Sequence, residues 1–249
     1  MKRHGAFFLA TLLLCGNGYA EDFTLLSADI PPYSSSSTTS DGLCIDITKA
    51  LFDKTDMALT VQFHPWARSQ KMAITGERYL ITPLTRTRER EPHYDWIVPL
   101  FRYNLQLVSN DPSVPIDNPQ AMHEVEICVL RESPAEYKLI ELGYQKRLVV
   151  TDESKCLQLL NLKRTPAALL HGMLSAEDGY RRYGGDPQAL RQGIAYPSGD
   201  IYLASSKGAL TAAQRQGLAG ALRELKATGQ YQQIIDNYRF SASAVAPTP

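Results

Sequence analysis

Short strand-like runs alternate with helical stripes along most of this chain, and that alternation is the grammar of parallel sheet covered by helices. Residues 23–28 read as a buried strand stopped by Pro31-Pro32. A polar Ser/Thr loop over 34–42 ends in the turn signal Asp41-Gly42. Leu43, Ile47, Ala50 and Leu51 then fall on one helical face, and Leu59, Val61 and Phe63 alternate at strand period. Pro65-Trp66 opens a helix expected to end near Gly76, and residues 79–82 form a strand expected to stop before Pro83.

The grammar then repeats. Val125, Ile127 and Val129 alternate, Ala135, Leu139 and Leu142 make a helical stripe closed by Gly143, and residues 148–150 read as strand. A helix over 155–162 and a strand over 167–170 follow. Between the halves, residues 109–119 are rich in Pro, Asp and Asn and read as a link. A last strand is predicted over 201–204. Beyond it, Thr211 and Gln214 match a capping box, and Leu218, Ala221, Leu222 and Leu225 share a face. Gly229 suits a left-handed cap before a short helix with Tyr231, Ile234, Ile235 and Tyr238, and residues 241–249 read as a disordered tail.

Composition narrows the function. With 249 residues, one to two domains are expected, and 44% apolar with 21% charged residues is ordinary globular usage. No apolar run reaches the roughly 18 residues that suggest a membrane-spanning helix. Lys2, Arg3 and His4 precede an apolar stretch over 6–15, and Gly18-Tyr19-Ala20 offers a cleavage site. Residues 1–20 therefore read as a signal peptide, which implies the periplasm; Leu14 is too bulky to favour a lipid anchor at Cys15. Release at Glu21 leaves 24 basic against 26 acidic residues, which argues against nucleic acid as a partner. Cys44, Cys128 and Cys156 remain, so at most one intramolecular bridge forms, and buried apolar thiols are the alternative. His64, His93, His123 and His171 are too scattered for a metal site. No cofactor is expected, and no hydrolase elbow, zinc-helix motif or phosphate loop appears.

These residues together resemble the bacterial extracellular solute-binding proteins of family 3, the polar-amino-acid type that serves ABC transporters. The likeness is carried by Pro31-Pro32-Tyr33, Gly42 with Asp46, Pro65-Trp66-Ala67-Arg68, Gly76, Thr87-Arg88-Glu89-Arg90 and Pro99-Leu100. The run Leu222-Arg223-Glu224-Leu225-Lys226-Ala227-Thr228-Gly229, followed by Ile234 and Tyr238, is similar to the family's closing helices. The resemblance implies an α/β, two-lobed, type II periplasmic-binding-protein fold, each lobe a mostly parallel sheet flanked by helices, with a ligand cleft between them. It implies lobe 1 over 21–107 and 201–240 and lobe 2 over 108–200. The expected occupation is capture of a small polar or anionic solute, amino-acid-like or an organic acid, by a monomer that serves an inner-membrane ABC permease or a receptor. A ligand-sensing subunit and a dehydratase-like enzyme on the same fold are the alternatives.

The resemblance also assigns a site. The family's carboxylate-binding arginine falls on Arg90 and its hydroxyl donor on Thr87, with Thr85 also able to point inward. Tyr33 follows the first strand and Trp66 the second, as an aromatic pair at one rim should; both also suit a core. Arg68 either faces the cleft or caps its own helix, and Arg86 and Arg88 equally suit a solvated turn with Glu89 and Glu91. In the second lobe the family's ammonium-binding acid aligns with His171 or Gly172, neither of them acidic, so an obligatory ammonium on the ligand is not expected. Cys128 and Cys156 belong to one implied lobe and Cys44 to the other, which makes the first two the expected disulfide.

Overall fold

A computed structural model describes residues 21–36 and 41–238. The signal peptide read over 1–20, part of the polar loop and the tail over 241–249 lie outside the described residues. The elements run β1 (Glu21–Ser27), α1 (Leu43–Phe52), β2 (Met57–Phe63), α2 (Trp66–Thr75), β3 (Tyr79–Thr85) and β4 (Asp95–Ser109). They continue through α3 (Pro119–Met122), β5 (Ile127–Leu130), α4 (Pro134–Glu141), β6 (Arg147–Val150), α5 (Glu153–Asn161), β7 (Ala167–Leu170) and α6 (Met173–Arg182). A 3₁₀ turn (Pro187–Ala189), β8 (Arg191–Ser205), α7 (Ala212–Ala227) and α8 (Gln230–Asn237) complete the described chain.

The eight strands form one sheet in the order β2-β1-β3-β8-β4-β7-β5-β6. β1 pairs in parallel with β2 and β3, and β5 pairs in parallel with β6 and β7. Each triplet thus places its first strand in the middle, and the two triplets are the cores of two lobes. Between them β4 and β8 run antiparallel along most of their length; β8 also pairs with β3, and β4 with β7. Alternation sorts the second triplet. Ile127, Val129, Ala167 and Leu169 join the main apolar cluster, whereas Cys128, Ala168 and Leu170 face a separate cluster with Cys156, Leu157 and Leu160 of α5. α7 packs on α1 and β4, and α8 on α1 and α7. The Tyr231 hydroxyl donates to the Leu100 carbonyl and that of Tyr238 to Asp46 (2.6 Å), which ties the C-terminal helices to the first lobe.

Caps explain several boundaries. Ser133, Asp152 and Asn118 accept first-turn N–H groups of α4, α5 and α3, and Thr211 with Gln214 closes a reciprocal capping box on α7. Gly229 (φ 79°) supplies the left-handed joint between α7 and α8. At Gly42 (φ 99°) any Cβ would sit 2.5 Å from Ser34 Cα, so only glycine lets the loop cross the head of α1.

Several sequence expectations are corrected. β3 continues through Pro83 to Thr85, because its ladder with β8 breaks register between Ile81 and Leu84 and the missing N–H falls in that break. The final strand begins at Arg191, ten residues before the expected 201. The whole of β4 was not expected, nor was α6. α5 starts at Glu153 rather than 155, because Asp152 caps it. α4 ends at Glu141 and leaves Leu142 exposed, outside its buried stripe.

Cys128 on β5 and Cys156 on α5 form a disulfide with a Cα–Cα distance of 5.5 Å, and Cys44 is free and buried. The bridge closes a loop of 28 residues, worth about 3 kcal/mol in the chain-entropy picture. Replacing both cysteines by alanine is expected to lower the melting temperature by about 6–12 °C, read by differential scanning calorimetry. Thiol counting on the denatured, unreduced chain from Glu21 should find Cys44 alone.

Candidate functional site

Loops at the carboxyl ends of β1, β3, β5 and β7 converge where the two lobes meet, the usual position of a ligand crevice in such sheets. Tyr33, just past β1, is buried. Its hydroxyl donates to the His171 carbonyl at 2.6 Å, and its ring stacks on Phe101 at 5.2 Å. The contact needs glycine at position 172 (φ 93°), where a Cβ would lie 3.3 Å from the tyrosine hydroxyl. Thr85 at the end of β3 shares a 2.9 Å hydrogen bond with the Tyr103 hydroxyl, and the Tyr103 ring lies 5.5 Å from the His171 imidazole.

Arg90 closes the turn after β3. Its backbone N–H donates to the Thr87 carbonyl, and its guanidinium turns inward with only 5% of the residue exposed. Nη1 donates to the Thr85 carbonyl (3.1 Å) and Nη2 to the Glu132 carbonyl (2.9 Å), while no carboxylate among the described residues comes within 4 Å. Burial, the largest influence, pulls its pKa below the ordinary value, and nearby tyrosines oppose that in part. Gln70 of α2 donates to the same Glu132 carbonyl at 3.1 Å. Thr87 sits half-buried beside it, and its buried hydroxyl has no partner of ordinary hydrogen-bond geometry.

The second-lobe wall is a buried pair. His171 Nδ1 lies 2.9 Å from both oxygens of Glu153, and the His171 backbone N–H donates to Glu153 Oε1 at 3.0 Å. The lobe therefore does hold a carboxylate at this wall, although neither His171 nor Gly172 is acidic. It comes from the first turn of α5, and the ring of His171 stands in front of it.

Two cavities flank this cluster. One, of about 330 Å³, is lined by Asp29, His64, Pro65, Leu130, Asp152 and Lys155. The other, of about 410 Å³, is lined by Gln70, Lys71, Arg90, Tyr94, Glu132 and Tyr137. Both are bounded by residues of both lobes, so the crevice opens on either side of the tyrosine-rich centre. Among the described residues no group of three or more His, Cys, Asp or Glu is placed to hold a metal ion, and no helix is long and apolar enough to cross a membrane.

Of the seven site residues expected from sequence, Tyr33, Thr85, Thr87, Arg90 and His171 come together here. Trp66 does not join their polar contacts; it is buried in the main apolar cluster at the head of α2. Arg68 is exposed on the same helix. Arg86 pairs with Glu91 and lies over Trp96 and Tyr202 at the surface. Tyr103 and Glu153 were missed. Asp152 as a helix cap with an acid directly behind it was the available signal for Glu153, and for Tyr103 it was the alternation of Phe101, Tyr103, Leu105 and Leu107 with Arg102, Asn104 and Gln106.

Tyr103 responds to alkali in a defined way. Burial, opposed by its hydroxyl partners, pushes its pKa up to about 12. The folded state therefore holds this proton more tightly than the unfolded state, and the contribution to stability is complete below pH 10. Stability is expected to fall as pH rises from about 10 to 12, and Tyr103→Phe should flatten that fall; denaturant unfolding at a series of pH values measures both.

A family model described as bacterial extracellular solute-binding proteins, family 3, matches residues 25–242. No curated protein matches the chain significantly in sequence. Among solved structures, an ancestral arginine-binding protein bound to glutamine superposes with a TM-score of 0.76 at 18% identity, covering 88% of this chain and 98% of that one. A histidine kinase sensor domain with similarity to periplasmic binding proteins gives 0.76 at 17%, covering 87% and 95%. The substrate-binding protein of an amino acid ABC transporter gives 0.74 at 17%, covering 87% and 98%. At these identities the superpositions establish the two-lobed fold.

Proposed function

Because the chain belongs to the bacterial extracellular solute-binding proteins, family 3, we propose that it captures a small carboxylate-bearing solute between its lobes in the periplasm and hands it to an ABC permease. The buried guanidinium of Arg90 carries the reading. A desolvated cation held only by main-chain carbonyls costs several kcal/mol unless an anion joins it, and a ligand carboxylate is the natural partner. Thr85 and Thr87 supply hydroxyls on its side, and His171, with the Tyr33 hydroxyl on its carbonyl, supplies the facing wall. The buried aromatic rings of Tyr33, Phe101 and Tyr103 favour a ligand with a compact apolar body. Neighbours described as binding glutamine and as serving an amino acid transporter support an amino-acid-like solute or organic acid.

Capture of this kind works by closing the lobes on the solute. The strand pairing supports a crossing on β4 between Phe101 and Gln106 rather than at the expected 107, since Gln106, Leu107 and Val108 already pair with β7. On β8 the crossing falls between Pro197 and Ile201, where β4 changes register against it.

Titration of the purified protein by calorimetry and thermal shift, against amino acids, their deaminated counterparts and polyamines, tests the proposal. A carboxylate-bearing solute should raise the melting temperature with dose, and Arg90→Ala should weaken its binding by about 100-fold or more. Stabilisation by a polyamine that persists in Arg90→Ala would overturn the reading.

A further inference from the structure

Glu153 is nearly fully buried, and the carboxylate-capture reading leaves it without a task. Both of its oxygens lie 2.9 Å from His171 Nδ1, and Oε1 also accepts the His171 backbone N–H. An ionised carboxylate can only accept, so Nδ1 must carry the ring hydrogen. In the neutral ring this leaves Nε2 as a bare lone pair. Nε2 has no hydrogen-bond partner among the described residues, yet it is not one of the sealed, unsatisfied atoms, so it keeps part of the remaining exposure of the imidazole. The ring also faces Tyr103, whose hydroxyl leads through Thr85 to Arg90, which sets anion donor and imidazole on either side of one tyrosine.

We propose that Glu153 is a positioning residue that fixes His171 as a hydrogen-bond acceptor, so that the second lobe selects carboxylates bearing a donor, charged or neutral. The proposal rests on the carboxylate-capture reading for its ligand class but not for the state of the ring. A 2-hydroxy or 2-amino acid satisfies both ends of such a site. A 2-oxo acid meets the lone pair of Nε2 with another lone pair and is refused. The variant Glu153→Gln makes the logic explicit. Its single carbonyl oxygen is claimed by the His171 backbone N–H, which turns the amide N–H toward Nδ1 and moves the ring hydrogen to Nε2.

The test uses purified protein labelled with ¹⁵N-histidine near neutral pH, and two probe trios: L-alanine, L-lactate and pyruvate, then L-glutamate, 2-hydroxyglutarate and 2-oxoglutarate. Long-range ¹⁵N–¹H spectra should show a protonated Nδ1 and an unprotonated Nε2 in the native protein, exchanged in Glu153→Gln. In whichever trio binds, the amino and hydroxy acids should exceed the oxo acid by more than about tenfold, and Glu153→Gln should narrow or reverse that ratio. A protonated Nε2 in the native protein, as neutral tautomer or imidazolium, overturns the proposal even if the variant fails to fold. So does an oxo acid bound as tightly as its hydroxy counterpart. If a protonated Nδ1 and bare Nε2 are found and neither trio binds, the selection proposed for the second lobe has failed, and the broader carboxylate screen decides the reading from Arg90 separately.

Discussion

The antiparallel pairing of β4 with β8 is the contact on which the other features depend. Each parallel triplet could bury its faces only with the help of its own crossover helices, and nothing in either triplet specifies where the other should lie. The two long strands supply that, because β8 pairs with β3 on one side and β4 with β7 on the other. A main-chain ladder therefore fixes the separation of the lobes. Side chains at the crevice are left to adjust how far it is shut, and they do so with short bonds: Tyr33, Gln70 and Arg90 each reach across from the first lobe.

Those central strands were also the least legible part of the sequence, for a physical reason. β4 contains Pro99, Arg102, Asn104 and Gln106, and β8 contains Gly193, Pro197, Gly199 and Asp200. Residues 101–107 of β4 do alternate, with Phe101, Tyr103, Leu105 and Leu107 against Arg102, Asn104 and Gln106, but the rest of β4 and all of β8 keep no such period, and prolines normally argue against interior strands. They persist as strands because the ladder changes register at four places along β4, letting prolines and polar residues sit where a regular ladder would reject them. The outer strands, by contrast, were legible because each is a short apolar run that local pattern alone determines, as in Ile127–Leu130 and Ala167–Leu170. Family resemblance and element order together located Arg90, Tyr33 and Thr85, since all three follow strands that could be read.

Glu153 shows the limit from the other side. An acid in the first turn of a helix is usually read as a solvated partner of the helix dipole, and its sequence neighbours Asp152 and Ser154 fit a plain cap. Only the approach of β7, fourteen residues further on, converts it into a buried partner of His171. The same fold step seats the imidazole ring beside that of Tyr103. Pairs that are remote in sequence and made of ordinary surface residue types leave no periodic trace, so local pattern cannot announce them.

The acceptors in the bonds that Tyr33, Gln70 and Arg90 make across the lobes are all backbone carbonyls: Glu132 takes two donors and His171 takes the third. Glu132 holds its carbonyl in place with a left-handed backbone (φ 54°) and with its N–H bound to Glu136. The Glu132 side chain takes no part in either cross-lobe bond. Substitutions there that tolerate the left-handed backbone can therefore reshape the lining of the cavity beside Arg90, while the latch itself is inherited unchanged.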